Sequence, residues 1–332
     1  MSLKAMIKRL LRRMGTHRPR YYRDAIFRRV TEKDLHAFFT ELGLRPGMLV
    51  YLQSSYSGIG HFAGGPRGLL EVLIQILGPS GTLVLPSFPT SGSMAEYAAA
   101  KPVFDVQRTP AKIGVLPEVF RTMPGVRRSI HPTHPVCAVG AEAEFITTGH
   151  EHCQTPQQPS SPFGKLYARS GHILRIGTRA NPLTHTLQEM ADWPNLFLAG
   201  DPVSLACVAA DGTQLQVTTR LYRSSLPYVL YLEDQANGKP LQGNIMDFPI
   251  ITDFSRQAGL ATGRVLETLL ELRQRFGRTG ELRVAKLHQT TCDFYPIRST
   301  MDFSVAEASR VIDKYRYLYD VAALERAVAA EH

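Results

Sequence analysis

Three histidines stand in Pro-rich or Thr-rich segments beside strand-like stretches, where an imidazole can face a cleft: His131 and His134, in Ile130-His131-Pro132-Thr133-His134-Pro135, and His185, in Thr184-His185-Thr186. A neutral imidazole is the side chain suited to take a proton from an amine near pH 7. Any one of them taken alone reads equally as a hydrogen-bonded structural histidine, so both roles stay open at this point. A second chemistry is offered by Ser54-Ser55-Tyr56-Ser57-Gly58-Ile59-Gly60, which leads through Gly64-Gly65 toward a helix. Hydroxyls and unpaired main-chain amides at a strand end suit a phosphate or an amide-rich cofactor arm, although a plain Gly-rich turn has the same composition. The run matches neither the phosphate-loop pattern nor the dinucleotide fingerprint, which counts against ATP and NAD. His150-Glu151-His152-Cys153 alternates as the face of a strand does. That supplies two ligands, no further set completes a tetrahedral site, and no metal is expected. Cys137, Cys153, Cys207 and Cys292 form no CxxC pair and carry no motif, so neither a disulfide framework nor a thiol nucleophile is supported, and a reducing cytoplasm suits them.

The elements that must position these residues read as α/β. Thr31-Glu32-Lys33-Asp34 resembles a capping box opening a helix that runs to about Gly43. Met48 to Gln53 reads as a short apolar strand, Gly68 to Leu77 as a helix and Gly81 to Pro86 as a second strand, together a βαβ-like unit. Further strands are expected at Val136 to Gly140 and His172 to Gly177, a helix from about Thr186 to Asp192, and a hairpin over 205–219 around Asp211-Gly212. Residues 258–276 and 304–328 carry helical patterns.

The 332 residues, 44% hydrophobic and 20% charged, are enough to bury a large core, and no apolar run approaches the roughly 20 residues of a membrane span. The formal charge of +9 is concentrated at one end. Residues 1–30 hold ten of the 38 Lys and Arg and one of the 29 Asp and Glu, leaving 28 of each sign in the rest of the chain. Within that arm Leu3, Met6, Ile7, Leu10, Leu11 and Met14 fall on one helical face, with Lys4, Lys8, Arg9, Arg12 and Arg13 mostly opposite. The spacing serves a helix packed on the protein's own core, one lying in an anionic headgroup layer, and one docked on a partner. Nucleic acid is disfavoured because the body has no second basic patch to track a phosphate backbone. The N-terminus lacks the apolar stretch and cleavage site of a secretory signal, so a cytoplasmic protein is expected, with peripheral contact at the inner face of the membrane through the arm.

The order of segments says more than any one of them. Leu52-Gln53-Ser54-Ser55, Gly81 to Pro86, Thr109-Pro110 followed by Gly114-Val115-Leu116-Pro117-Glu118, Arg128-Ser129-Ile130-His131-Pro132 with Gly140, Ser161-Pro162, and His185 to Asp192-Trp193-Pro194 together resemble the aminoglycoside 3-N-acetyltransferase, or antibiotic N-acetyltransferase, family over about residues 35–295. The resemblance implies a central mixed sheet flanked by helices and transfer of an acetyl group from acetyl-CoA to an amine. It divides the chain into the basic arm 1–30, an α/β domain 31–300 and a C-terminal helical extension 301–332.

Acetyl-CoA would then lie against Ser54, Ser55, Tyr56, Ser57, Gly58, Thr109, Arg128 and Ser129, with His131 and His134 toward the acceptor. Aligning on Ala191-Asp192-Trp193-Pro194 implies that His185 is the general base, and the acid that orients it in the family falls at Gln188, with Glu189 one residue later. The chain departs from the pattern there, at Gln53 where a His is usual, and at Pro135 where a Ser is common. Acids are missing from the segments that would line a polycation pocket, which points to an amino sugar, carried on a nucleotide or a lipid, as the acceptor. A homodimer is compatible with this reading. The competing class is a non-catalytic descendant that keeps the cleft and serves as a scaffold held to a membrane or partner through residues 1–30.

Overall fold

A computed structural model describes residues 29–59, 61–178, 182–192, 196–197, 202–222, 227–233, 240–244, 281–288 and 290–315. The basic arm before Arg29, the helical pattern at 258–276 and the end of the 304–328 pattern lie outside them. In chain order the elements are β1 (Arg29–Val30), α1 (Glu32–Leu42), β2 (Leu49–Ser54), β3 (His61–Phe62), α2 (Gly65–Leu77), β4 (Thr82–Pro86), α3 (Met94–Ala99), β5 (Phe104–Asp105), α4 (Val115–Arg121), β6 (Arg127–Arg128), β7 (Val136–Gly140) and α5 (Ala143–Thr147). They continue with α6 (Pro162–Ala168), β8 (His172–Ile176), α7 (Thr184–Met190), β9 (Val203–Val208), β10 (Gln214–Thr219), β11 (Pro227–Glu233), β12 (Pro240–Asn244), β13 (Arg283–Leu287), β14 (Thr290–Pro296) and α8 (Ile297–Tyr315).

Among the described residues, seven strands form the central sheet in the order β13-β14-β8-β2-β4-β7-β6. β2 runs parallel to β4 and to β8, while β7 and β14 run antiparallel to their neighbours, so the sheet is mixed. Strand alternation divides the core between its two faces. Val50 and Leu52 point into one cluster, with Leu35 and Phe39 of α1, Leu69 and Leu73 of α2 and Phe120 of α4. Leu49 and Tyr51 point into the other, with Ile146 of α5, Phe163 of α6, Leu187 of α7 and Met301 of α8. Each face is therefore covered by helices, the arrangement that buries a sheet with parallel pairs at its centre.

Local sequence explains the boundaries. Thr31 caps α1 by accepting the Asp34 amide at 3.1 Å while Asp34 accepts the Thr31 amide at 2.9 Å, the reciprocal capping box expected from the sequence. α2 starts three residues before the expected Gly68 because Pro66 occupies its first turn, where no amide hydrogen is needed. Ser161 caps α6, accepting from the Gly164 amide, with Pro162 at the first position. The 205–219 hairpin forms as expected, but it pairs with β5 in a separate three-stranded sheet. The segment around His150 is a correction: His150–His152 is one short 3-10 turn after Gly149 at φ +77°, not a strand, and it buries His150 while His152 is exposed. The final helix begins at Ile297, seven residues early, and seats Ile297 and Met301 in the core.

Candidate active site

The carboxyl ends of β2, β4 and β8 lie on one edge of the sheet, where the antiparallel β7 begins opposite Pro86. Open α/β sheets bind ligands at such an edge, where neighbouring connections leave in opposite directions. The loop Ser54 to Gly58 leaves β2 here as a strand end and a 3-10 turn, tied down by the Ser55 amide donating to the Ile176 carbonyl at 2.8 Å. Ser55 is exposed, its hydroxyl 3.4 Å from that of Ser57, while Tyr56 packs partly on the core and Gly58 is buried. Gly177, at φ +64°, faces Ser55: a Cβ there would come within 3.1 Å of the Ser55 carbonyl, so glycine lets the two strand ends approach.

Arg128, Ser129 and Thr109 occupy the neighbouring corner and are hydrogen-bonded within the fold, although Nε of Arg128 is buried with no partner among the described residues. The Arg128 guanidinium donates to the carbonyls of Ser87 and Thr109, both at 2.6 Å, and of Val106 at 3.2 Å, and lies over the Phe104 ring. Burial lowers its pKa to about 10, which leaves it charged at neutral pH. The Thr109 hydroxyl accepts the Asp105 amide at 2.8 Å. The Ser129 oxygen accepts the Val136 amide and so directs its proton to Nδ1 of His150, both at 2.9 Å. The other nitrogen of His150, 2.9 Å from the Pro156 carbonyl, is then the donor.

His131 is fully buried. Its Nδ1 accepts from the amides of His134 at 3.1 Å and Thr133 at 3.3 Å, and its ring stacks on His150 with centroids 4.3 Å apart. His134 bonds the Thr133 hydroxyl through Nδ1 and presents its ring to His185 and to Tyr222, at centroid distances of 6.4 and 5.5 Å and near right angles. Burial holds both imidazoles well below the usual histidine range.

His185 lies in the first turn of α7, which follows β8. Its Nδ1 is 3.0 Å from the Gln188 amide oxygen, one helical turn on. An amide oxygen only accepts, so Nδ1 carries the proton and Nε2 keeps its lone pair; among the described residues Nε2 has no partner. Burial lowers the pKa to about 4, opposed by the bond to Gln188, so the ring is neutral near pH 7. Glu189 does not take the orienting place. Its carboxylate accepts from the Thr155 hydroxyl at 2.5 Å and from the Tyr222 phenol. Tyr222 lies flat against His185, centroids 3.8 Å apart and planes 8° from parallel.

The structure thus gathers His134, His185, Gln188 and Glu189, and sets the Ser54 to Gly58 loop on the same sheet edge. It places Thr109, Arg128 and Ser129 in the supporting framework of that edge. Tyr222 and Thr155 had escaped sequence reasoning, because neither sits in a motif and both reach α7 only through the tertiary fold. All four cysteines are buried free thiols, and burial raises each of their pKa values, to about 11 at Cys137 and about 12 at Cys207 and Cys292. Thiolate chemistry is correspondingly disfavoured.

A helix-covered mixed sheet with a neutral, singly bonded histidine at its strand ends is the architecture of an α/β enzyme. Residues 51–307 match the family model for aminoglycoside 3-N-acetyltransferase. The chain is 30% identical over 240 residues to aminoglycoside N(3)-acetyltransferase III of Pseudomonas aeruginosa, covering 68% of this chain and 82% of that protein. It is 28% identical over 191 residues to an aminoglycoside N(3')-acetyltransferase-like protein, YokD, of Bacillus subtilis, covering 52% of this chain and 70% of that protein. In fold it is similar to aminoglycoside acetyltransferase AAC(3)-IVa, with a TM-score of 0.58, 21% identity and coverage of 88% of this chain and 92% of the other. It is likewise similar to AAC-IIIb, solved with CoASH, with a TM-score of 0.59, 20% identity and coverage of 87% and 98%. The chain belongs to the aminoglycoside 3-N-acetyltransferase family and is an N-acetyltransferase.

Proposed function

We propose that this enzyme moves the acetyl group of acetyl-CoA directly to an amine of an amino sugar, with His185 as general base. The observation that carries the reading is the open Nε2 of a neutral His185 whose opposite nitrogen is fixed by Gln188. A protonated amine cannot attack a thioester, so the acceptor reacts as the free amine: Nε2 takes a proton from the nitrogen as it bonds the acetyl carbon, and the imidazolium returns that proton to sulfur as the carbon–sulfur bond breaks, leaving the amide and CoA as the thiol. The charge developing on the thioester oxygen needs donors, for which Ser54, Ser55 and the amides of their loop are the candidates. Gln188 fixes the tautomer as an acid would but adds no negative charge to favour the imidazolium.

The acceptor class is supported by relatives solved with aminoglycosides, among them AAC(3)-IVa with a gentamicin and AAC-VIa with sisomicin. Glu189, on the same helix as His185, is bonded to Thr155 and Tyr222. That sparse acidity favours an amino sugar carried on a nucleotide or lipid over a free polycation. The basic arm 1–30 fits a lipid-linked acceptor at an anionic membrane surface, the inner face of a cytoplasmic enzyme's membrane. Gln188 also favours one other reading, a catalytically impaired scaffold.

The test is thiol release from acetyl-CoA against aminoglycosides, free amino sugars and nucleotide-linked amino sugars, with His185→Ala as control. Turnover on one of these classes, lost in the variant, supports the enzyme reading. Measurable CoA binding with no turnover on the whole panel moves the assignment to the scaffold.

A further inference from the structure

Glu189 is misplaced for a partner of His185 and well placed for something else. Thr155 donates to one of its oxygens and Tyr222 to the other, and Tyr222 extends its ring flat across His185 at 3.8 Å. Tyr222 also stacks on Phe197 at 5.2 Å and 24°, so the phenol ring is held by contacts with two rings. A phenol whose hydroxyl donates to a carboxylate has a more electron-rich ring, and the face of such a ring attracts a cation placed over it. The imidazole becomes that cation when it takes the proton of the amine.

We propose that Tyr222, polarised by Glu189, is the positioning residue that stabilises the His185 imidazolium from its face. It does so in a chain where an amide stands at the edge position that an acid occupies in the family pattern. The charge stays in the neighbourhood but acts through the ring. This rests on His185 being the base, as proposed above. The groups facing His185 are Gln188 and Glu189 on its own helix, His134 from the segment before β7, and Tyr222 after β10. Arg220 and Cys153 act on this group at longer range, through Glu189 and Tyr222. His134 is held neutral by burial and so competes little for a proton.

The inference is tested by NMR titration of histidine-labelled protein without CoA, the His185 resonance being assigned by its loss in His185→Ala. Tyr222→Phe keeps the stacked ring and removes the bond to Glu189; Glu189→Gln keeps the ring and removes the charge. Each is expected to weaken proton binding at His185 by about three-fold, and Tyr222→Leu by about ten-fold. Where turnover is measurable, the acid limb of kcat/KM should move with the titration. A Tyr222 that only fills space would lower thermal stability in Tyr222→Leu and leave the His185 titration unchanged in Tyr222→Phe and Glu189→Gln. That result overturns the inference, whether or not the enzyme turns over. Absence of turnover together with the expected titration shifts would instead remove the functional reading and leave the stack standing.

Discussion

His150, fully buried, and His185, half-buried, are both neutral imidazoles near one edge of the sheet, and they differ in what holds them. His150 is inaccessible and uses both nitrogens, accepting from Ser129 and donating to Pro156. The serine is itself fixed by the Val136 amide, so the ring braces the corner where β7 begins. Among the described residues His185 uses one nitrogen, on Gln188, and rests one face on Tyr222, with Nε2 left without a partner. A base needs one fixed nitrogen to set its tautomer and one lone pair to react. A lowered pKa therefore does not separate a structural histidine from a catalytic one, and neither does the count of engaged nitrogens alone, since Nε2 of the fully buried His131 also lacks a partner among the described residues; what His185 adds is a lone pair on a ring that is not fully buried.

Removing the reactive member should have the greatest consequence. In His185→Ala, kcat is expected to fall roughly 10²–10⁴-fold, the usual contribution of a general base, with CoA binding and thermal stability near wild type. Steady-state thiol release and calorimetric binding check this. Near-normal turnover would dissolve the contrast between the two histidines.

Acid should act on both at once, through stability. Their pKa values are lowered by burial to about 4 at His185 and about 3 at His150, so the folded protein refuses protons that the unfolded chain binds below about pH 6.5. Stability therefore rises with pH across the window from about 4 to 6.5 and is level above it. The slope is at most about 1.4 kcal/mol per pH unit for each histidine, or about 4 kcal/mol for the two between pH 6.5 and 5. Denaturant melts at pH 7, 6 and 5 should show that fall. His131 and His134, also shifted downward by burial, steepen it.

Removing the structural member should exchange the phenotype. His150→Ala strands the Ser129 hydroxyl and the Pro156 carbonyl and opens a void beside His131, so about 2–4 kcal/mol of stability should be lost. Turnover per folded molecule is expected to stay within about three-fold. Denaturant melts set beside activity corrected for folded fraction measure the two separately.

The fold was legible wherever a local rule was at work. The capping box at Thr31 set the start of α1, Asp211-Gly212 turned its hairpin, and periodic patterns marked β2, β4, β7 and β8 with α1, α2 and α7, but not β6, β13 and β14 at the two ends of the central sheet or the short helices α4, α5 and α6. Local rules also misled, because His150-Glu151-His152-Cys153 has a strand's alternation while Gly149 in a left-handed conformation starts a tight turn. In the site, His185 and Gln188 could be paired from sequence because they are one helical turn apart. Arg128 could be located but its partners could not, since Ser87, Val106 and Thr109 reach it only once β6 is in place. Tyr222 was invisible for the same reason: 37 residues separate it from the ring it covers, and no periodicity links them.

The most modest effect is expected from Gln188→Glu, and it bears most directly on what distinguishes the two histidines. The change returns a carboxylate to Nδ1 of His185, at a position already 3.0 Å away and on the same helix. The new charge favours the imidazolium, so the His185 pKa should rise from its lowered value, against the desolvation that holds it at about 4. With the folded pKa nearer the ordinary histidine value, the acid limb of kcat/KM moves to higher pH and the acid-induced loss of stability shrinks. A stronger base should raise kcat up to about ten-fold near neutral pH, provided the added carboxylate stays ionised beside Glu189. If the carboxylates instead share a proton, the variant gains nothing at neutral pH, and Glu189→Gln in the same chain should restore the gain. The equivalent acid at the Ser129 side of His150 has no open nitrogen to act through, so the asymmetry between the two histidines predicts a rate effect at one and only a stability effect at the other.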